Sequence, residues 1–223
     1  MKMIQLTYLT LLSLLLSTCG IDKERATDSS AGEVTVSQPQ LDGLSKAYFA
    51  SGCFWCVEAI FESVRGVEEA ISGYSGGKEK NPSYRQVSYG LTSHAEAVEV
   101  YYDPEIVDYQ TLVTVYYGSH DPTTVNGQHP DYGRQYRSMI YYQNEEEKKI
   151  AEDFKSQLEK SGKYREPIAT EIVAFEKFWK AEEYHQDYEK KNPNQPYVRN
   201  VSIPRLRKFQ RKFPELLKEG IAH

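Results

Sequence analysis

The chain is 223 residues long, which is enough for one domain with a real hydrophobic core. It carries 27 basic and 32 acidic residues, so its net charge is −5 at pH 7. This balance excludes the excess of positive charge that draws proteins to nucleic acid, and we expect no nucleic-acid partner. The sequence shows no internal repeat or low-complexity block, and a monomer is expected.

Residues 1–18 have the pattern of a signal peptide. Lys2 precedes an apolar run over residues 6–16, which is shorter than the ~20 residues that span a membrane comfortably. Cys19 follows, and Leu16-Ser17-Thr18-Cys19 resembles the lipobox of bacterial lipoproteins, in which the cysteine becomes the acylated N-terminus. We therefore expect lipidation of Cys19 and an extracytoplasmic, membrane-anchored bacterial lipoprotein. An ordinary secreted signal peptide is the alternative.

Residues 19–45 are polar and poor in large apolar side chains. This composition predicts a flexible tether behind the lipidated N-terminus. About 25 flexible residues span a root-mean-square distance of roughly 25–30 Å, which would hold a folded domain clear of a membrane surface. The folded domain itself is predicted for residues 46–202.

Two cysteines and two large aromatic residues stand together in Gly52-Cys53-Phe54-Trp55-Cys56. An extended pattern precedes this motif and apolar residues recur after it at helical spacing, which places Cys53 at the N-terminus of a helix. The unpaired N–H groups and the dipole at a helix N-terminus favour the thiolate, the nucleophilic form of cysteine. The motif therefore indicates redox chemistry, and packing of both cysteines as small hydrophobic residues is the alternative.

Strand and helix patterns alternate beyond this point. Strands are predicted over 46–50, 67–74, 95–102, 138–143 and 169–175, and helices after Cys53, over 108–117 and from Asn144 onward. Residues 119–135 show no periodicity, which makes them a candidate functional loop. The two β-α-β units predict an α+β fold, a two-layer ferredoxin-like sandwich with a helical C-terminal extension.

That extension is predicted as an amphipathic helix over residues 203–223. Its apolar stripe consists of Leu206, Phe209, Phe213 and Leu216, and its basic face consists of Arg205, Arg207, Lys208, Arg211 and Lys212. We expect the stripe to pack on the domain and the basic face to be solvated. Contact of the basic face with anionic lipid is the alternative.

Six motifs follow one another in a characteristic order along the chain. They are Gly52-Cys53-Phe54-Trp55, Gly73-Tyr74-Ser75-Gly76-Gly77, Asn81-Pro82-Ser83-Tyr84, His94-Ala95-Glu96-Ala97-Val98, His120-Asp121-Pro122-Thr123 and Asp131-Tyr132-Gly133-Arg134-Gln135-Tyr136-Arg137-Ser138. In this order they resemble the A-type peptide-methionine sulfoxide reductases, over roughly residues 47–200. The resemblance implies that residues 46–202 form a catalytic domain that reduces the S epimer of methionine sulfoxide, free or in oxidised proteins. It also implies that a thioredoxin-like reductant restores the enzyme.

Glu96 is the candidate acid for this reaction. A sulfoxide oxygen leaves poorly until it is protonated, so a thiolate attacking the sulfur needs a carboxylic acid beside it. Glu96 occupies an otherwise apolar strand face, where burial raises the pKa of a carboxyl group. The resemblance assigns Tyr84 and Tyr136 as hydrogen-bond donors to the same oxygen. Without the motif, a salt-bridged or exposed carboxylate would be the simpler interpretation of Glu96.

The resemblance also implies a set of substrate-binding residues. Asp131 matches a residue that accepts a hydrogen bond from the substrate backbone, although aspartate in a turn is common. Phe54 and Trp55 are expected to enclose the methyl group of the substrate, with a place in the core as their alternative. Tyr188, in the Glu183–Tyr188 motif near the end of the match, is expected in the same site.

Cys56 departs from the commonest family pattern, which has glycine at this place and cysteines near the C-terminus. No cysteine follows Cys56 in this chain. One helical turn separates Cys53 and Cys56, which puts their Cα atoms about 5–6 Å apart, within reach of a disulfide. We expect Cys53 to be oxidised to a sulfenic acid that Cys56 resolves, with direct reduction of Cys53 by an outside thiol as the alternative.

His94, His120 and His185 lack the spacing of a metal site, so neither a metal nor another cofactor is expected. The Cys-x-x-Cys spacing alone also fits a tethered thiol-disulfide oxidoreductase, which would have no use for Glu96 or Asp131. A ligand-binding lipoprotein without catalytic activity is a third possibility, since the signal peptide and tether would serve it equally well.

Overall fold

The computed structural model describes residues 41–221. The predicted signal peptide, Cys19 and most of the predicted tether lie outside the described residues. Among the helices within 41–221, none has the length and apolar character needed to cross a membrane.

A mixed six-stranded sheet forms the centre of the domain, beside a small two-stranded sheet. In chain order the strands are β1 (Ser45–Ser51), β2 (Val67–Ser75), β3 (Ala95–Tyr102), β4 (Gly127–Gln128), β5 (Asp131–Tyr132), β6 (Ser138–Tyr142), β7 (Glu171–Ala174) and β8 (Phe178–Lys180). The large sheet has the order β7-β6-β1-β3-β2-β8, and β4 pairs with β5. Within the large sheet every pair is antiparallel except β6 with β7.

Six α-helices lie between or after these strands in the described residues. The helices are α1 (Phe54–Glu62), α2 (Tyr84–Ser88), α3 (Tyr109–Gly118), α4 (Glu145–Lys160), α5 (Tyr188–Lys191) and α6 (Ile203–Lys212). Side-chain caps explain where three of them begin: Ser83, Asp108 and Asn144 each accept a backbone N–H of the first helical turn. The predicted α+β class is confirmed.

Both faces of the central strands are covered. Phe49 on β1 packs against Phe61 of α1 and Tyr116 of α3, with ring centroids 4.9 and 5.4 Å apart. A smaller cluster lies on the opposite face, where Tyr48 stacks on Phe175 at 3.8 Å. β1 lies in the middle of the sheet. The chain therefore leaves the buried centre of the domain where β1 ends and α1 begins.

The predicted C-terminal helix over 203–223 is too long. The helix ends at Lys212, and Pro214 begins a short 3-10 turn. Proline lacks an N–H group and restricts the residue before it, so Phe213 leaves the helical conformation. The stripe residue Phe209 is buried against the main core, as expected.

Two more predictions are corrected by the fold. Residues 119–135 are not irregular throughout, because β4, β5 and a 3-10 turn at Arg134–Tyr136 lie within or at the end of this segment. The edge strand β8 escaped prediction, since three residues are too few to show an alternating pattern.

Candidate active site

Cys53 lies where β1 ends and α1 begins. Gly52 connects them with a φ of +89°, a conformation that favours glycine, and a Cβ atom there would lie 2.7 Å from Gln128 Cβ. Cys53 is the N-cap residue of α1, as predicted, and the carbonyl of Cys53 accepts the N–H of Cys56 at 3.2 Å. Cys53 and Cys56 are free thiols, 6% and 1% exposed.

The two thiols differ in their acidity. Burial raises the pKa of Cys53 well above its ordinary value, and the neighbouring Cys56 adds to this effect. A hydrogen bond with Cys53, together with the nearby Arg205 guanidinium, outweighs burial and lowers the pKa of Cys56 to about 6. Burial thus opposes the helix N-terminus, which favours the thiolate of Cys53. The surroundings of Cys56 favour its thiolate.

Glu96 lies beside the first turn of α1. Its carboxyl group is 2% exposed and accepts the backbone N–H of Phe54 at 3.1 Å. Burial raises the pKa of Glu96 to about 8, although the hydrogen bond from Phe54 opposes the shift. The negative charges of Asp131 and Cys56 raise it further. Glu96 is thus mainly protonated at neutral pH.

Two half-buried tyrosines come close to the same place. Tyr84 begins α2, and its backbone N–H donates to Glu182 at 2.8 Å. Tyr136 ends the 3-10 turn Arg134–Tyr136. Burial, followed by the charges of Glu96 and Cys53, raises the pKa of both hydroxyls. Both therefore remain O–H donors near Glu96 and Cys53 over the physiological range.

Aromatic rings form the wall of the site. Phe54 is 1% exposed, with its ring centroid 6.2 Å from that of Tyr84. Trp55 is partly exposed and stacks on Tyr188 at 3.8 Å. The indole N–H of Trp55 donates to Nδ1 of the buried His185 at 3.1 Å. Phe54 is thus a core residue as well as a wall residue, whereas Trp55 and Tyr188 form a paired, partly open surface.

Asp131 is brought to the site by β5. Its carboxylate accepts a hydrogen bond from the hydroxyl of Tyr197. Burial raises the pKa of Asp131, and Tyr197 and Arg205 oppose that shift. The charges of Cys53 and Cys56 add to burial in raising the pKa of Tyr197, so this hydroxyl lies close to both sulfurs.

The C-terminal segment supplies residues that the sequence did not reveal. A π-helical turn at Val198–Ser202 leads into α6 and places Ser202 Oγ 3.0 Å from Cys56 Sγ. Glu189 of α5 lies near the same pair, and burial raises its pKa to about 7. No motif or spacing in the sequence pointed to Tyr197, Glu189 or Ser202.

The prediction that the whole basic face of the C-terminal helix is solvated is wrong for Arg205. Its guanidinium turns inward and donates to the carbonyl oxygens of Ser51 and Ser119, each at 2.9 Å. These carbonyls lie at the end of β1 and just after α3. Arg205 therefore joins the site, which sequence periodicity could not show.

One acidic cluster within residues 41–221 has oxygen atoms close enough to share a cation. It consists of Glu58, Glu62 and Asp187. Lys190 Nζ already lies 2.7 Å from Glu62 and 2.9 Å from Asp187, so an ammonium group supplies the positive charge. Glu58 is also occupied, since it accepts hydrogen bonds from Ser72 and from the backbone of Asp187.

A pair of neighbouring thiols beside a protonated carboxylic acid defines a thiol-dependent oxidoreductase. Residues 45–217 match the family described as peptide methionine sulfoxide reductase. The peptide methionine sulfoxide reductase MsrA 1 of Rhodopirellula baltica is 49% identical over 177 residues, which cover 79% of this chain and 91% of that protein. The chain belongs to the peptide methionine sulfoxide reductase family, and the resemblance seen in its motifs is confirmed.

Solved structures agree with this assignment. Methionine sulfoxide reductase A of Corynebacterium diphtheriae is 36% identical with a TM-score of 0.61, covering 68% of this chain and 76% of that one. Mxr1 from Saccharomyces cerevisiae in reduced form is 33% identical with a TM-score of 0.64, covering 68% of this chain and 87% of that one. The chain is accordingly an oxidoreductase of the MsrA type.

Proposed function

We propose that this enzyme reduces the S epimer of methionine sulfoxide, free or within oxidised proteins, to methionine. The observation that carries the proposal is the position of the Glu96 carboxyl group, which is buried and accepts the backbone N–H of Phe54, the residue after Cys53, at 3.1 Å. A carboxyl group held protonated at neutral pH can give its proton to a sulfoxide oxygen, which then becomes a leaving group.

The first step transfers oxygen to Cys53. The substrate oxygen accepts hydrogen bonds from Tyr84, Tyr136 and the Glu96 carboxylic acid, and the Glu96 proton moves to it. Cys53 Sγ passes its proton to the neighbouring Cys56 thiolate and attacks the electropositive sulfoxide sulfur, and the oxygen is transferred to Cys53. Methionine is reduced by two electrons, and Cys53 is oxidised to a sulfenic acid.

The walls of the site hold the substrate for this step. The paired rings of Trp55 and Tyr188, with Phe54 beneath them, offer an apolar surface for the methyl group. Asp131 accepts a backbone N–H of the substrate, and the hydrogen bond from Tyr197 fixes its carboxylate for that role. Exclusion of water by the rings strengthens the polar contacts to the oxygen.

The second step forms a disulfide between Cys53 and Cys56. The Cys56 sulfur attacks the Cys53 sulfenic acid, the S–O bond breaks, and the oxygen leaves as water. The two residues are one helical turn apart, a separation that a disulfide can bridge. A thioredoxin-like dithiol then reduces the disulfide, and no cofactor takes part.

One pair of assays tests this function against general thiol-disulfide exchange. Loss of methionine sulfoxide is followed with dithiothreitol as reductant, and reduction of insulin is followed with the same enzyme. We expect rapid loss of the S epimer and little insulin reduction, because Glu96 serves no purpose in disulfide exchange. Fast insulin reduction without loss of sulfoxide would favour the second function, and neither activity would favour a binding protein.

We further propose that Cys19 is lipidated and anchors the enzyme outside the cytoplasm. The support is the position of Cys19 directly after the apolar run and the polar composition of residues 20–45. Native protein should partition into detergent, and its N-terminal peptide should carry acyl chains in mass spectrometry. An unmodified N-terminus at residue 20 or later would contradict anchoring.

We also propose that the core of the fold is a ferredoxin-like sandwich. The four strands in the order β6-β1-β3-β2, with α1 and α3 as the crossover helices, have the succession expected of a ferredoxin-like sandwich. On this proposal β7 and β8 are additions at the two edges of the sheet. A structure-based alignment restricted to these six elements tests it.

A further inference from the structure

The two sulfurs of α1 have different degrees of access. Cys53 is 6% exposed and lies on the side of Tyr84, Tyr136 and Glu96, where the substrate enters. Cys56 is 1% exposed, and the π-helical turn that carries Ser202 covers it. A thiol that arrives through the emptied substrate site therefore meets Cys53 before Cys56.

Three groups of the C-terminal segment surround the Cys56 sulfur. The Ser202 hydroxyl lies 3.0 Å from it, and the Tyr197 hydroxyl, which donates to Asp131, is a neighbour. The Arg205 guanidinium adds a positive charge. A hydroxyl donor such as Ser202 and a cation such as Arg205 are groups that stabilise a buried thiolate.

The position of Arg205 is fixed by the backbone. Its Nε and Nη2 atoms donate to Ser119 and Ser51, which leaves Nη1 next to Gly52. The charge is therefore held between the end of β1 and the first turn of α1. Its place does not depend on a flexible surface side chain.

The remaining titratable neighbours of Cys56 are acidic. Cys53 lies on the same helix, Glu96 faces it from β3, and Glu189 faces it from α5. Glu189 shares the Ser202 hydroxyl, and its Oε2 atom is buried without a hydrogen-bond partner. Glu96 is mainly protonated at neutral pH, and Arg205 is the cation that acts on the Cys56 sulfur.

We propose that the outside reductant attacks Cys53 of the Cys53–Cys56 disulfide and expels Cys56 as a thiolate held by Ser202 and Arg205. This inference rests on the proposed function, since it begins from that disulfide. Thiol-disulfide exchange is faster when the departing thiol is the more acidic one. Access and leaving-group stability thus select the same sulfur for attack.

The reduction of the disulfide takes place in two exchanges. A reductant thiolate forms a bond to Cys53 Sγ while the Cys53–Cys56 bond breaks, and the electron pair of that bond remains on Cys56. A second thiol of the reductant then attacks the reductant sulfur of the mixed disulfide and releases Cys53. The reductant ends as a disulfide, and the enzyme has gained two electrons.

The attacked sulfur is identified by trapping the mixed disulfide. Enzyme is oxidised with N-acetylmethionine sulfoxide, freed of reagents, and checked by mass for loss of two hydrogens. Glutathione is then added, the reaction is quenched with acid after short times, and free thiols are alkylated. Tandem mass spectrometry of the peptide containing both cysteines should find glutathione on Cys53 and the alkyl group on Cys56.

Glutathione on Cys56 overturns the inference and leaves the proposed function intact. An oxidised enzyme that keeps a sulfenic acid and forms no disulfide overturns both the inference and the proposed resolving step. Enzyme that forms no methionine at all overturns the proposed function itself. The three failures are therefore distinguishable in one preparation.

A matched pair of variants tests the role of Ser202. In Ser202→Ala the thiolate loses one charge-assisted hydrogen bond, so mixed-disulfide formation should slow about three- to tenfold. The pH midpoint of ultraviolet thiolate absorbance should rise by about one unit. The rate of mixed-disulfide formation should fall by more than the single-turnover rate of methionine formation, because the lost hydrogen bond acts on the departing Cys56 sulfur.

Ser63→Ala is the control for this variant. Ser63 is also buried, but its hydroxyl donates to the Ile60 carbonyl at the far end of α1. Neither the exchange rate nor the thiolate midpoint should change in Ser63→Ala. Equal behaviour of the two variants would show that Ser202 only packs against Cys56.

Discussion

The two sides of the first turn of α1 offer opposite surroundings to two identical side chains. The Cys53 side, formed by α2, β3 and the Arg134–Tyr136 turn, supplies neutral O–H donors and a protonated carboxyl group. The Cys56 side, formed by the C-terminal segment, supplies a guanidinium group and the Ser202 hydroxyl. One side is suited to protonating an oxygen, and the other is suited to carrying negative charge on a sulfur.

The contrast explains why adjacent thiols can divide the work. A thiol that must receive oxygen benefits from acids around the oxygen, although those acids do not stabilise its own negative charge. A thiol that must leave from a disulfide benefits from a cation and donors. Separating the two requirements by one helical turn lets each sulfur have the neighbours it needs.

The largest expected effect tests whether oxygen transfer on the Cys53 side depends on Cys53 alone. Cys53→Ser should abolish reduction of methionine sulfoxide, because a serine hydroxyl does not accept the oxygen. Formation of methionine with dithiothreitol measures it, and Cys56→Ser serves as the control. Single-turnover methionine formation in Cys53→Ser would remove Cys53 from the role of nucleophile.

The next effect tests the acid of that side. Glu96→Gln should bind substrate but slow the chemical step by about 10²–10⁴-fold, since the amide has no proton to give. In wild type the rate should fall as the pH rises above about 8, because the reactive form of Glu96 is the protonated one. An unchanged rate of sulfenic acid formation in Glu96→Gln would rule out this role.

Glu96 should also affect stability in a pH-dependent way. Its pKa is raised in the folded protein, so the folded chain binds this proton more tightly than the unfolded chain. Its contribution to stability is therefore fully present below about pH 4.3 and is lost as the pH rises toward about 8. The free energy of unfolding of Glu96→Gln minus that of wild type should increase from pH 5 to pH 8 and then level off. A difference that is flat over this range would contradict the raised pKa.

A smaller effect tests the role of Cys56 on the Cys56 side. Cys56→Ser should still form one fast equivalent of methionine, and its steady-state rate with a thioredoxin-like donor should fall about tenfold or more. Wild type trapped after one turnover should have lost two thiols, whereas Cys56→Ser should hold a sulfenic acid that reacts with dimedone. Normal turnover of Cys56→Ser, with the dimedone adduct in wild type, would make Cys56 a packing residue.

The smallest effect concerns the link between the two sides. Tyr197→Phe removes the hydrogen bond to Asp131, which should raise KM about three- to tenfold with little change in kcat. Phenylalanine keeps the ring that meets Trp55 edge-on, so packing is preserved. A fall in kcat at unchanged KM would place Tyr197 in the chemical step instead.

The Cys53 side was largely predictable from the sequence, because the sequence patterns that indicate it are local. Cys53 at a helix N-terminus follows from the strand pattern before it and the apolar spacing after it, and the structure has this N-cap. Glu96 stands out as a carboxyl group on an apolar strand face, and it is buried there. The acidity of Cys53 could not be derived in the same way, because the extent of its burial depends on segments far along the chain.

The Cys56 side could not be predicted from the sequence. Ser202 contacts Cys56 across 146 residues, and Arg205 contacts Ser51 across 154. Helical periodicity assigned Arg205 to a solvated face, since periodicity alone cannot show that the carbonyl groups of Ser51 and Ser119 lie opposite it. The strand order likewise depends on tertiary packing. The end of α6 at Lys212 follows instead from the local backbone restriction before Pro214, which the sequence does carry.

The late position of Ser202 and Arg205 has a consequence for biosynthesis. A ribosome adding about 5–20 residues per second needs roughly 7–30 s to travel the 146 positions from Cys56 to Ser202. During that interval the emerging chain carries both sulfurs without the groups that make them unequal. The asymmetry of the two thiols is therefore a property of the finished polypeptide, and a chain clipped before residue 198 would retain the reactive motif with the distinction erased.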